Sequence, residues 1–171
     1  MNAYTDKKPE AAHEARSGFP RRDLLALFAL LSLLTLGLGG WLTSLGFGPW
    51  YDDLLKPPFQ PPGWLFSPVW TLLFALLALA TWRIAREGPV ARLALWAYGF
   101  QLILNVFWSL FFFTLHQPGW ALVDIVLLDG LVIAMVFLYG RIDRVAGRLL
   151  VPYVIWLGLA TAINIWVVIY N

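Results

Sequence analysis

The sequence predicts an all-α integral membrane protein, a bundle of five transmembrane helices with a long Pro/Trp-rich loop between the first two. Three observations predict it. Of 171 residues, 60% are hydrophobic and 13% charged, against about 25% charged in an average soluble domain. Five apolar segments of about 20 residues each match a hydrocarbon core of ~30 Å at ~1.5 Å per residue. None of them alternates polar with apolar residues as barrel strands do, and helices satisfy their own backbone groups, as lipid requires.

Residues 1–23 are polar and mixed in charge, and read as a disordered, solvated tail. Residues 24–171 form the membrane domain. Its first helix, about 24–47, is too long for a signal-peptide core and has no small-residue cleavage site near its end, so it is retained. The loop that follows packs five prolines and three tryptophans into the 21 residues from Trp50 to Trp70. Proline fixes φ, removes a donor and restricts the residue before it, so residues 56–62 can be neither helix nor central strand. They read as an extended, semi-rigid strap. Helix two covers about 63–82, with Pro68 placed in its first turn. Helices three, four and five cover about 93–115, 120–140 and 149–170. The fourth alone carries charge, at Asp124 and Asp129.

Charge orients the bundle. Eleven of the 12 Lys and Arg residues lie before helix one, between helices two and three, or between helices four and five, and only Lys56 lies on the other side. The positive-inside rule puts the N-terminus in the cytoplasm and the strap and Asn171 outside. The expected location is a bacterial cytoplasmic membrane, with an outer membrane left open. A formal charge of +2 is too small to suggest nucleic acid, and no internal repeat suggests an inverted-repeat transporter. Without cysteine there is no disulfide, thiolate nucleophile or cysteine metal site. The two histidines, His13 in the tail and His116 in a turn, support no metal site, no triad and no tight axial ligation of haem iron.

Polar groups within the apolar segments mark the inward faces. An aspartate at a helix centre costs about 2.5–3.5 kcal/mol on insertion scales, so Asp124 and Asp129 should turn inward with partners. Five residues apart, they point in different directions. Asp124 suits a site near the strap and Asp129 an interhelical hydrogen bond. Gln101, Asn105, Trp108 and Phe112 form one stripe of helix three, and Tyr153, Trp156, Ala160 and Asn164 one stripe of helix five, after a helix-loosening Pro152. Such stripes serve interhelical bonding. The interleaved Trp70, Trp108 and Trp156, deep in their helices, also describe a flat apolar pocket with a few orienting donors. Lys56 stands at its mouth, placed to pair with an anionic substituent.

The segments Trp50-Tyr51-x-x-Leu54-x-Lys56-Pro57, Pro61-Pro62-Gly63-Trp64-x-Phe66-x-Pro68-Val69-Trp70-Thr71, Gln101-Leu102-x-Leu104-Asn105-x-x-Trp108 and Pro152-Tyr153-x-x-Trp156-x-x-x-Ala160-Thr161-x-x-Asn164 resemble the tryptophan-rich sensory protein family. This is the translocator protein, or peripheral-type benzodiazepine receptor, family. The resemblance covers residues 24–171. It implies a five-helix bundle, a homodimer with helix three as a candidate interface, and a protein of porphyrin sensing, transport or regulation that requires no cofactor. The implied ligand is a tetrapyrrole such as protoporphyrin IX, under the first loop, beside membrane lipid. The implied lining is Tyr51, Pro61, Trp70, Asn105, Asp124, Trp156 and Ala160, to which the reading of the residues adds Lys56, Trp108 and Asn164. An alternative is light-dependent porphyrin degradation with Trp70 and Trp156 as catalytic residues, and a further one a lipid or sterol translocator. The family's apolar–Tyr–basic sterol motif is missing, because Tyr170-Asn171 carries no basic residue.

Overall fold

A computed structural model describes residues 21–171, with side chains from Asp23 onward. The tail expected over 1–23, with His13 in it, lies outside the described residues except for its last three. These three already belong to the first helix, so helix one starts earlier than its apolar run. Asp23 in the first turn suits the positive end of the helix dipole.

Seven α-helices follow in chain order: α1 Arg21–Leu45, α2 Pro49–Asp53, α3 Gly63–Ala85, α4 Arg92–Ser109, α5 Pro118–Ile142, α6 Arg144–Leu149 and α7 Val151–Tyr170, with no strand among the described residues. Five stretches, Asp23–Leu45, Gly63–Ala85, Gly88–Thr114, Pro118–Ile142 and Arg144–Tyr170, are long and apolar enough to cross a membrane. The chain is a multi-pass integral membrane protein. α1 packs on α3 and α4, α4 on α5, and α5 on α7. Ring contacts join α3 to α7, Phe66 to Trp156 at 5.5 Å and Trp70 to Tyr153 at 6.1 Å between centroids. Leu77, Ile84, Leu128, Met135 and Leu157 are among the side chains buried at the centre.

Four local features depart from the expectation. Residues 56–62 are neither helix nor strand, as expected, but the loop opens on an unexpected helix: Pro49 presets the first turn of the short α2, entered through Gly48 at φ 142°. Pro68 sits inside α3 rather than in its first turn, because the helix already begins at Gly63. Its missing N–H leaves only a carbonyl one turn back near the helix end, where water or headgroups reach it. α4 continues as a π-helical turn, Leu110–Thr114. Fourth, the last span is interrupted at Leu150, between α6 and α7, where Pro152 cannot donate to the preceding turn.

The arginine-rich end is closely bonded. Arg83 binds the Asp143 carboxylate through Nε at 2.7 Å and Nη2 at 2.6 Å. The same carboxylate caps α6, accepting from the N–H groups of Val145 at 2.8 Å and Ala146 at 3.3 Å. Burial alone would raise the Asp143 carboxyl, but these two N–H groups and Arg83 outweigh it and hold it below the usual carboxylate range. Deeper in, the Tyr139 and Thr81 hydroxyls bond at 3.0 Å and those of Tyr98 and Ser32 at 3.1 Å. Gly147 lets α6 lie on α5: a Cβ there would come within 2.7 Å of Gly140 Cα and 2.8 Å of the Val136 carbonyl oxygen.

Candidate ligand site under the strap

The strap crosses the end of the bundle opposite the arginines, and its two halves are held differently. The α2 half is packed by rings. Trp50 meets Phe112 edge-on at 6.0 Å and stacks on His116 at 4.1 Å and 14°. Tyr51 packs on Phe47 at 5.4 Å and on Phe113 at 5.7 Å. The proline half, residues 54–62, is held by fewer contacts. The Leu55 N–H donates to Asn171 Oδ1 at 2.8 Å, Gln60 Nε2 to the Tyr51 hydroxyl at 3.3 Å, and the Phe59 ring meets Trp166 at 6.0 Å.

Beneath lies the π-helical turn. Its wider spacing turns Trp108, Phe112 and Phe113 toward the same space. Trp108 stacks on Phe112 at 5.4 Å and meets Phe113 edge-on at 5.8 Å, and Phe112 and Phe113, neighbours in sequence, are both buried. In a regular helix adjacent side chains diverge by about 100°, and π-turns recur at functional sites. Gly46 permits the fit, because a Cβ there would run into the Phe113 carbonyl.

The space enclosed is a cavity of about 40 Å³, roofed by Tyr51, Leu54, Lys56 and Gln60 and walled by Phe66, Trp108, Phe112, Phe113, Ala160, Ile163 and Val167. Of the residues expected at the site, the structure brings Tyr51, Lys56, Trp108 and Ala160 to this cavity. Pro61 is half-buried in the strap itself. Trp156 stands behind the wall residue Phe66, its ring against that of Phe66, and Trp70 packs in a ring cluster with Phe74 and Tyr153.

The three remaining expected residues are in the bundle core. Asn105 donates to the Tyr153 hydroxyl at 2.6 Å and to Gln101 Oε1 at 3.0 Å, and the Tyr153 hydroxyl donates to the same Gln101 oxygen at 3.0 Å. Asn164 accepts from Trp108 Nε1 at 3.0 Å and donates to the Pro118 carbonyl at 2.9 Å, fixing the angle of the Trp108 ring. Asp124 is 5% exposed, and its Oδ2 has no hydrogen-bond partner among the described residues, short of the partner expected for it. Asp129, by contrast, accepts from Thr161 at 2.7 Å, the interhelical bond expected of it. Both amide stripes thus bond α4 to α7 while flanking the cavity.

Lys56 does not reach freely into the mouth. Its Nζ donates to the Tyr51 and Asp52 carbonyls and sits 4.4 Å over the Tyr51 ring, so an anion must compete with the strap's own backbone for it. Sequence reasoning missed Leu54, Gln60, Phe66, Phe112 as a wall, Phe113, Ile163 and Val167. Phe66 lay within a motif already singled out, and Phe112 on the polar stripe of α4. Leu54 also lay within a quoted motif and Gln60 within the strap, whereas Phe113, Ile163 and Val167 carried no signal, because an apolar side chain facing a cavity and one facing lipid look alike in sequence.

The site offers flat apolar surface with a few fixed polar groups. A drug-sized ligand fills about 300–1,000 Å³, so a macrocycle enters only when the strap lifts. Lifting the proline half breaks fewer contacts, because the α2 half is packed on the π-helical turn.

Comparison with known proteins matches the TspO/MBR family over residues 26–169. The translocator protein of Sus scrofa is 38% identical over 135 residues, covering 74% of this chain and 80% of that protein. Protein CrtK of Rhodobacter capsulatus is 35% identical over 143 residues, 82% of this chain and 89% of its own. The tryptophan-rich protein TspO of Chlorobaculum tepidum is 33% identical over 155 residues, 88% and 98% of the two chains.

Proposed function

The chain belongs to the TspO/MBR family, and on that premise we propose that it binds a tetrapyrrole of the protoporphyrin IX type under the strap, in porphyrin sensing, transport or regulation. The observation that carries this reading is the ring-walled cavity roofed by Tyr51, Lys56 and Gln60. Its walls suit the face of a planar macrocycle, and Lys56 is the cation nearest the mouth for a propionate. Asn105 Nδ2, the Tyr153 hydroxyl and Gln101 Oε1 are already bonded to one another, leaving Gln101 Nε2 as the one buried atom of the three side chains without a partner among the described residues, which favours stacking over polar recognition. The macrocycle displaces the proline half of the strap and packs against Phe66, with Trp156 behind it.

The test is quenching of protoporphyrin IX fluorescence in one detergent by the parent and by Trp156→Ala. The parent quenches saturably. The variant binds about tenfold more weakly, as expected when a large aromatic face is lost. Absence of saturable quenching by the parent overturns the reading.

The ring pairs Phe66–Trp156 and Trp70–Tyr153 beside the cavity favour a second reading, light- and oxygen-dependent degradation, in which photoexcited porphyrin takes an electron from Trp156 or Trp70, passes it to dioxygen, and is oxidised by the reduced oxygen species so formed. Illumination of the complex separates the two. Degradation bleaches the Soret band, and Trp70→Phe or Trp156→Phe abolishes the bleaching, whereas binding alone leaves a stable spectrum.

A further inference from the structure

Far from the strap, the connection from α3 to α4 carries two arginine–tryptophan pairs, each four residues apart and so on one helix face. Trp82 and Arg86 end α3, and Arg92 and Trp96 begin α4. The first pair is closed, with the Arg86 guanidinium 4.7 Å over the Trp82 ring. The second is open. Arg92 is exposed and has no ion pair, hydrogen bond or ring contact among the described residues. Trp96 is 65% exposed, its ring meeting only Phe100 among the described residues, at 6.5 Å. Between them lies a groove of about 310 Å³ lined by Gly88, Arg92, Leu95 and Trp96, far larger than the strap cavity.

The surroundings favour an anion. Arg141, Arg144 and Arg148 are exposed at the same end of the bundle. Glu87 is the one acidic side chain in the turn, and it forms no ion pair with Arg92. The span containing Arg92 begins at Gly88, so the guanidinium stands at headgroup depth, with the Trp96 indole about 6 Å further in at 1.5 Å per residue. A planar guanidinium matches phosphate oxygens in pairs, and an indole at this depth suits the glycerol and upper acyl region.

We propose that this groove is a binding site for an anionic phospholipid of the leaflet on the arginine-rich side. The phosphate pairs with Arg92 and the glycerol backbone lies against Trp96 and Leu95. Arg86 contributes little, because its charge is already engaged by Trp82.

The test is native mass spectrometry of the full chain in a mild detergent, titrated with phosphatidylglycerol or phosphatidylcholine, on the parent, Arg92→Gln, Arg92→Lys and Arg86→Gln. A thermal melt confirms that each variant is folded. The parent binds phosphatidylglycerol more tightly than phosphatidylcholine. Arg92→Gln weakens the anionic lipid about tenfold, the loss of one charge-assisted contact, and leaves phosphatidylcholine unchanged. Arg92→Lys, which keeps the charge but not the fork, falls between, and Arg86→Gln stays near the parent. Equal binding of the two lipids by the parent overturns the proposal. So does an equal loss in Arg86→Gln and Arg92→Gln, which marks a diffuse field rather than a site.

Discussion

At the arginine-rich end, Asp143 accepts hydrogen bonds from two helix N–H groups and binds Arg83, and Tyr139 and Tyr98 each find a hydroxyl and a carbonyl partner. In the half under the strap, Asp124 Oδ2, Trp156 Nε1 and Trp166 Nε1 are buried with no partner among the described residues. An unsatisfied buried polar atom costs about 1–3 kcal/mol. The bundle bears that cost where a ligand is proposed to enter and avoids it at the other end. The contrast is one of foundation against adaptable pocket: bonded helix ends hold the frame, while rings and a strap surround a space that would have to change size to take the proposed ligand.

The largest effect that can break this comparison comes from the two tight glycines. Gly147 meets backbone of α5 on one side, and Gly46 meets the π-helical turn at Phe113 on the other. Gly147→Ala pushes α6 from α5 and lowers stability by about 1–3 kcal/mol, the usual cost of overpacking. Porphyrin affinity of the folded fraction is unchanged. Gly46→Ala shifts Phe113 into the cavity, so it lowers affinity more than stability. Thermal melts and fluorescence quenching on the same preparations check both. Loss of affinity in Gly147→Ala without loss of stability would erase the distinction between the two ends.

Next in size is the stiffness of the strap. Pro61→Gly with Pro62→Gly touches no helix hydrogen bond, so the five spans stay intact. Each change costs about 0.4–1 kcal/mol in ordering the chain, and binding weakens by about 1–2 kcal/mol in total. Quenching titrations read this directly, and unchanged affinity would make the strap a connector.

A smaller effect tests the bonded end through pH. The Asp143 carboxyl is lowered in the folded state relative to the unfolded one. Its contribution to stability is therefore complete above the ordinary aspartate value of about 3.9 and is lost as pH falls through the lowered value. Asn caps helices as well as Asp, so Asp143→Asn removes only the pair with Arg83, whose side chain is 34% exposed, and costs about 0–1 kcal/mol. Asp143→Ala also removes the cap, for about 1 kcal/mol more. In acid melts the parent loses stability below about pH 4 in a step that both variants lack. A step of the same size in Asp143→Asn would assign it to another carboxylate.

The unequal ends also explain what was legible beforehand. Five spans followed from length and hydropathy, because lipid imposes one rule on every backbone. The inward faces followed only where a polar atom marked them. Gln101, Asn105, Asp124 and Asn164 are all buried, since lipid penalises them everywhere else. Phe113, Ile163 and Val167 bore no such mark, for the bundle interior is no more apolar than the lipid around it. The π-helical turn at Leu110–Thr114 was illegible for a related reason. It is set by how Phe112 and Phe113 pack on α2, a tertiary contact that no local propensity encodes. The short α2 was different, because Gly48-Pro49 does carry a helix-start signal, hidden by the prolines downstream.

The smallest effect distinguishes closing the strap from merely tying it down. Asn171 accepts from the Leu55 N–H at 2.8 Å, in an exposed place, so the bond is worth near the low end of the usual 0.5–1.5 kcal/mol, about 0.5. With the tie made, the cavity is about 40 Å³, and a macrocycle needs several hundred. Leu55 must then leave Asn171 for binding to occur, and the bond belongs to the closed, unliganded strap. Asn171→Ala therefore tightens porphyrin binding about twofold and speeds it, the opposite sign to the proline variants, which loosen the strap in every state. Stopped-flow quenching of the two variants beside the parent decides the matter. Weaker binding in Asn171→Ala would place the Leu55 bond in the complex, with the cavity opening between α3 and α7 rather than at the strap.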